Sequence, residues 1–161
     1  MKEEKKVKEL VTSLSDFPHL PYWATLKEAL IQLNSALEDG INTVLVFNEA
    51  YRLIGVLTQA GILRGIEPKF AHHYEKGKPV SWSDFLAGSA RKRMLEPIKN
   101  FMSPAKVTID AEDGILKASH IMLTEQQQIL AVQEQGKIIG VINLDDVFRE
   151  IIEFLLDICS I

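Results

Sequence analysis

The strongest constraint on this chain is that it repeats itself. Leu53-Ile54-Gly55-Val56-Leu57-Thr58 returns 85 positions later as Ile138-Ile139-Gly140-Val141-Ile142-Asn143. The match spreads in both directions. Arg52 meets Lys137, Glu49 meets Glu134, the run 44–47 meets 129–132, and Ile62, Leu63 and Ile66 meet Val147, Phe148 and Ile151. Nearer the N-terminus the offset is 89: Leu20 meets Ile109, Leu26 meets Ile115, Ala29 meets Ala118 and Leu33 meets Met122. The first copy therefore carries four extra residues between its first helix and the following strand. A unit of about 50 residues buries too little apolar surface to stand comfortably alone. Two copies in a chain of 161 residues are expected to pack together.

Each copy reads as the same series of elements. Leu26, Ala29, Leu30, Leu33 and Leu37 lie at i, i+3, i+4, i+7 and i+11, an amphipathic helix closed by Asp39-Gly40. The β-branched run Thr43–Phe47, the turn Asn48-Glu49-Ala50 and the strand Tyr51–Leu57 form an antiparallel hairpin. Thr58 caps a short helix carrying Ile62, Leu63 and Ile66. The second copy reads as strand 106–109, helix 113–124, strand 128–133, turn Glu134-Gln135-Gly136, strand 137–142 and a helix from about 144. The fold class is α+β, with β-α-β-β-α twice. Val7, Leu10, Val11 and Leu14 predict a lead-in helix over 3–15. The divisions are then 1–16 for the lead-in, 17–67 for the first motif, 68–100 for an insert, and 101–161 for the second motif with a C-terminal helix.

Charge is unevenly spread. Residues 1–67 sum to −2, residues 68–99 to +4 and residues 100–161 to −6, giving the overall −4. The acidic balance argues against a nucleic-acid binder. In the insert, Pro68, Gly77, Pro79, Gly88 and Pro97 punctuate a stretch whose Trp82, Phe85, Leu86, Met94 and Leu95 predict one or two short helices. Its Arg91-Lys92-Arg93 could meet phosphate, although most such clusters are simply solvated. In the last helix, Asp146, Glu150, Glu153 and Asp157 form an acidic stripe, and apolar residues cover nearly everything else. Deep burial and a subunit interface both account for so wide an apolar face, and the interface is the favoured reading. No run is apolar enough to span a membrane, and the mixed-charge N-terminus is followed by no signal segment, so the expectation is a cytoplasmic protein.

No catalytic set assembles from the sequence, and the expectation is a non-enzyme without a metal or a required cofactor. His72-His73 are adjacent, so both rings cannot easily face one metal from a helix, while His19 and His120 are isolated. Cys159 is the only thiol and lacks a neighbouring histidine. The stretch Gly61-Ile62-Leu63-Arg64-Gly65 lacks the ending of a phosphate loop.

The repeated element order, the Gly-hydrophobic-hydrophobic turn into each last helix, and Phe101-Met102-Ser103-Pro104 together resemble a tandem pair of cystathionine-β-synthase (CBS) domains, a Bateman module, over residues 17–153. The resemblance implies two motifs packed through their sheets as a pseudo-two-fold pair. It also implies a homodimer, an adenine-nucleotide ligand (AMP, ADP or ATP) or S-adenosylmethionine, and regulation of a separate protein.

It further implies a ligand motif, Gly-hydrophobic-x-(Ser/Thr)-x-x-Asp, at each strand-to-helix junction. The hydroxyl and the helix N–H groups would face phosphate, and the carboxylate would accept from the ribose hydroxyls. The first copy supplies Thr58 but has Gly61 at the carboxylate position; the second supplies Gly140, Asn143 in place of the hydroxyl residue, and Asp146. Thr43 and Val44 in the first copy, and Gln128 and Ile129 in the second, would edge the base. Arg91, Lys92 and Arg93 are the phosphate candidates if the insert folds back. Thr58 and Asn143 are also good helix caps, and Asp145 and Asp146 suit a first helical turn without any ligand. The alternative is therefore a ligand-free scaffold, which a bulky apolar side chain near Gly55 or Gly140 would favour.

Overall fold

A computed structural model describes residues 3–67, 76–77, 81–105 and 107–160, with the side chain of Ser89 excepted. Pro68, His72, His73 and Pro79 lie outside the described residues. In chain order the elements begin with β1 (Thr12–Ser13), β2 (His19–Pro21), α1 (Leu26–Ala36), β3 (Thr43–Phe47), β4 (Leu53–Thr58) and α2 (Gln59–Ile66). Next come α3 (Trp82–Phe85), a π-turn over Leu86–Ala90, α4 (Arg91–Arg93) and β5 (Ser103–Pro104). The series ends with β6 (Thr108–Asp110), α5 (Ile115–Glu125), β7 (Ile129–Glu134), β8 (Lys137–Asn143) and α6 (Leu144–Cys159).

These elements form two compact units, one of residues 18–105 and one joining the N-terminal 17 residues to 106–161. In the first unit the sheet order is β2-β3-β4-β5, with β2 parallel to β3 and the other pairs antiparallel. Its core is built on Leu26, Ala29 and Leu33 of α1, Val44 and Val46 of β3, Leu57 and Ile62. In the second unit the order is β1-β8-β7-β6, with β6 parallel to β7. Ala118 and Met122 of α5, Leu130 and Val132 of β7, Ile142 and Val147 make the equivalent core.

Local chemistry sets the boundaries. The Thr25 hydroxyl accepts from the Glu28 N–H at 3.2 Å to start α1, and Gly40 at φ +77° ends the turn that follows it. Gln135 and Gly136, both left-handed, close the β7–β8 hairpin in two residues. The β3–β4 loop is longer. There Asn48 Oδ1 accepts from the N–H groups of Ala50 and Arg52, and left-handed Tyr51 stacks on Phe47 with ring centroids 5.0 Å apart. Between equivalent ladder positions the first hairpin holds one residue more than the second, and this changes the repeat. Val46 lies opposite Gly55, and Val132 lies opposite Gly140. The first hairpin strand is thus offset by 86, not 85, so Thr43 corresponds to Ile129 and Val44 to Leu130.

The segment 3–15 is not one helix. It forms 3-10 turns at Val7–Glu9 and Leu14–Asp16 on either side of β1. Its apolar residues are buried by docking rather than by helical amphipathicity. Val7 is fully buried, its N–H donates to the Asp113 carbonyl at 2.8 Å, and the Lys8 N–H donates to the Ala111 carbonyl at 3.0 Å. Residues 97–104 do the same in the first unit: Ile98 is fully buried, its N–H donates to Ala24, and that of Lys99 donates to Tyr22. The two arms are copies 91 positions apart, Val7-Lys8-Glu9-Leu10-Val11-Thr12-Ser13 and Ile98-Lys99-Asn100-Phe101-Met102-Ser103-Pro104. Each arm completes the sheet of the motif that does not follow it in the chain. Met102-Ser103-Pro104 therefore belongs to the first unit's sheet, although in sequence it leads into the second motif.

Ion pairs and a borrowed cap hold the N-terminal arm. Lys6 and Lys8 reach Glu112 at 2.7 and 2.8 Å, and their hydrogen bonds lower its carboxyl to about 2. Gly114 occupies the cap position of α5 and has no side chain to offer, so Glu4 Oε1 accepts from the Leu116 N–H at 3.0 Å. A Cβ at Gly114 would collide with that carboxylate. Glu4→Ala is expected to cost about 1 kcal/mol. Gly114→Ser should then restore most of the loss in the Glu4→Ala background and none of it in the wild type, as read by urea denaturation.

Candidate functional site

Each unit has a junction where the second hairpin strand runs into its helix. In the second unit, Asn143 ends β8 and caps α6, its Oδ1 accepting from the Asp145 N–H at 3.0 Å. The side-chain amide N–H₂ of Asn143 remains available as a donor. Ile129 pairs with Asn143 across the ladder, and the Gln128 carbonyl accepts from the Leu144 N–H at 2.8 Å. Asp146 lies in the first turn of α6 and is part-buried. Among the described residues no ion pair or side-chain hydrogen bond engages its carboxylate. The structure thus brings Gln128, Ile129, Asn143 and Asp146 to one place.

The first unit is built differently at the same position. Thr58 caps α2, its hydroxyl oxygen accepting from the Gly61 N–H at 3.0 Å. Thr43 pairs with Thr58, is buried, and donates its hydroxyl proton to Asn42 Oδ1 at 3.0 Å. Val44 does not edge the junction: strand alternation turns it into the core, where it is fully buried. A Cβ at Gly61 would stand 2.7 Å from the Phe101 carbonyl oxygen, so the central arm occupies the space a carboxylate side chain would need. Thr43 and Thr58 belong to the first unit, and Gln128, Ile129, Asn143 and Asp146 to the second.

The two motif glycines serve the arms. Ser13 lies opposite Gly140, and a Cβ there would run into the Thr12 carbonyl. Pro104 lies opposite Gly55, where a Cβ would stand 2.7 Å from Met102 Sδ and 2.8 Å from the Ser103 oxygen. Arg91, Lys92 and Arg93 form a helical turn in the first unit. Arg91 and Lys92 are exposed, while Arg93 pairs with Glu96 at 3.0 Å. Among the described residues no cluster of three or more histidine, cysteine or acidic side chains is arranged to hold a metal, and no helix is long and apolar enough to cross a membrane.

A family comparison identifies this architecture. The CBS-domain model matches residues 98–153. Residues 98–153 are similar to that family. The chain also has the fold of solved CBS-pair structures over more than nine-tenths of its length. A CBS domain-containing protein from Bacillus anthracis superposes with a TM-score of 0.69 at 18 % identity, covering 92 % of this chain and 94 % of that one. The CBS-pair protein CBSX2 from Arabidopsis thaliana gives 0.68 at 16 % identity, covering 94 % and 97 %. CBSX2 in complex with AMP gives 0.65 at 16 % identity, covering 92 % and 97 %. No curated protein sequence matches the chain. The CBS match begins at Ile98, so it includes most of the arm that docks on the first unit.

Proposed function

We propose that this protein is a non-catalytic regulatory CBS pair. It binds an adenine nucleotide (AMP, ADP or ATP) or a related adenosyl metabolite such as S-adenosylmethionine, and it acts as a homodimer on a separate protein. The observation that carries this reading is the part-buried Asp146 carboxylate, which has no side-chain partner among the described residues and sits one helical turn from the donor amide of Asn143. Asp146 accepts from the ribose hydroxyls. The Asn143 amide, at the positive end of the α6 dipole, faces the phosphate. Gln128 and Ile129 edge the base. The AMP complex of CBSX2 supports the ligand class. Thr58 and Thr43 have a lesser part at the first unit's junction, and the exposed Arg91 and Lys92 are the phosphate cations of the basic turn. Binding favours one arrangement of the protein over another, and the partner reads that change.

A specific observation favours a silent scaffold in the first unit: Met102 fills the space at Gly55, and the central arm fills that at Gly61. A thermal-shift panel of AMP, ADP, ATP and S-adenosylmethionine separates the readings. A ligand present at 100 times its Kd stabilises by about 2.7 kcal/mol, which raises Tm by roughly 5–10 °C for a chain of this size. A selective rise supports the sensor. A flat panel at millimolar ligand supports the scaffold.

A further inference from the structure

We propose that the groove holding the N-terminal arm is a peptide-recognition site, that the arm is its displaceable occupant, and that an extended segment of a partner protein with the arm's own pattern takes the arm's place. This gives the separate protein invoked above a docking surface, and to that extent rests on the regulatory reading. The groove has three parts, all within the second unit. The segment 111–115 takes residues 5–8 as an added strand, with Lys6 bridged to Gly114 and the Ile115 N–H donating to the Lys5 carbonyl at 3.1 Å. The start of α5, where Gly114 offers no cap, takes the Glu4 carboxylate on the Leu116 N–H. The outer edge of β8 takes Thr12 and Ser13 opposite Val141 and Gly140, and the missing Cβ of Gly140 lets the second backbone approach. Without an occupant, a helix start and a strand edge would both have unmet backbone groups. Recognition here is by strand addition, with Val7 as the one fully buried anchor.

The N-terminal arm is held less firmly than its copy in the first unit. There Ile98 and Phe101 are both buried; at the matching positions Val7 is buried and Leu10 only partly so. The first two N–H groups of α1 are met by main-chain carbonyls, Glu96 at 2.9 Å and Met94 at 3.0 Å, whereas α5 relies for its second on the exposed Glu4 side chain. The pairs of Lys6 and Lys8 with Glu112 join groups that are about half-exposed, and such pairs contribute little. Of the arm's described ion pairs, one, Lys5 with Glu150 at 3.1 Å, has a mostly buried member. A segment held in this way opens locally more readily than the core. The arm is also a short match for its groove. The β8 strand runs for seven residues, and the arm pairs with two of them before turning away at Leu14. In the same antiparallel register a strand continuing past position 13 meets Ile139, Ile138 and Lys137. A visiting segment that stays extended there gains ladder pairing that the arm forgoes. The pattern it needs is an acid three positions before a branched apolar anchor, a lysine on each side of that anchor, and a β-forming run in place of the turn.

The probe is a fluorescent synthetic peptide with the sequence of residues 3–13 continued by two Thr-Val pairs, titrated into the full chain by anisotropy. No nucleotide is present, so failure here and failure of the nucleotide panel are separate results. The decisive comparison places one substitution on either side. Glu4→Ala in the chain weakens the arm and leaves the peptide's own glutamate in place, so it should tighten peptide binding by about five-fold, the size of a lost helix cap. The same change in the peptide should weaken binding by about five-fold, and the two together should cancel. Equal affinity of the peptide for the wild-type and Glu4→Ala chains overturns the proposal, as does the absence of saturable binding to the Glu4→Ala chain at about 1 mM peptide. Gly140→Ala, with its fold checked by circular dichroism, obstructs arm and visitor alike and should abolish binding. Peptide binding that survives Gly140→Ala lies elsewhere and overturns the assignment of the groove.

Discussion

Gly140→Ala is expected to destabilise the protein by about 3 kcal/mol, the upper part of the range for forcing extra atoms into a packed site. The obstacle is backbone rather than a movable side chain. A Cβ at this position meets the Thr12 carbonyl and, at 3.0 Å, a Val11 methyl. Relief requires β1 to leave β8, which removes the pairing of Thr12 with Val141 and of Ser13 with Gly140 and loosens the arm that buries Val7. In a two-state melt of a chain this long, that loss lowers Tm by roughly 6–12 °C. Gly55→Ala should do less harm, because Met102 Sδ is the flexible end of a side chain, although the Ser103 oxygen at 2.8 Å is not. Gly88→Ala is the control, since a Cβ there meets nothing within 4 Å. Equal melting temperatures for Gly140→Ala and the wild type would contradict the docking geometry of the N-terminal arm.

The contrast between what the sequence declared and what it concealed has a physical cause. Helices α1 and α5, both hairpins and the caps Thr58 and Asn143 were readable because each depends on residues close together in the chain. The arms depend on partners far away. Val7, Leu10 and Val11 have helical spacing, yet Val7 is buried, and Leu10 and Val11 partly so, by a 3-10 turn and a strand whose hydrogen bonds go to residues 111–141. A signal was present in the repeat of 7–13 at 98–104, but its offset of 91 differs from both offsets of the motif bodies. The β3 and β7 strands were misaligned by one residue for a similar reason. Apolar runs match almost as well when slid by one position, and only the ladder opposite Gly55 and Gly140 fixes their registration. That slip matters at the site. It gave Val44 a role at the junction that the alternation of β3 denies it.

The candidate site was legible as residue types but not as functions. Asn143 and Thr58 satisfy helix N–H groups, and Gly140 makes room for an arm, so each is explained without a ligand. Asp146 is different. Its place in the first turn of α6 is favourable for a carboxylate, but among the described residues no side-chain or backbone donor uses it. Asp146→Ala is therefore expected to leave the melting temperature nearly unchanged while weakening adenine-nucleotide binding by more than about ten-fold, as the loss of hydrogen bonds to a charged group implies. Thr58→Ala should show the reverse pattern, losing about 1 kcal/mol of stability with the cap and little affinity.

Isothermal titration of the full chain with AMP, side by side for the wild type, Asp146→Ala and Thr58→Ala, tests the central claim most directly. The expected result is one AMP bound per chain in the wild type and in Thr58→Ala, and binding lost in Asp146→Ala at unchanged fold. Affinity that survives Asp146→Ala, or a wild type that takes up no nucleotide at millimolar concentration, would contradict it.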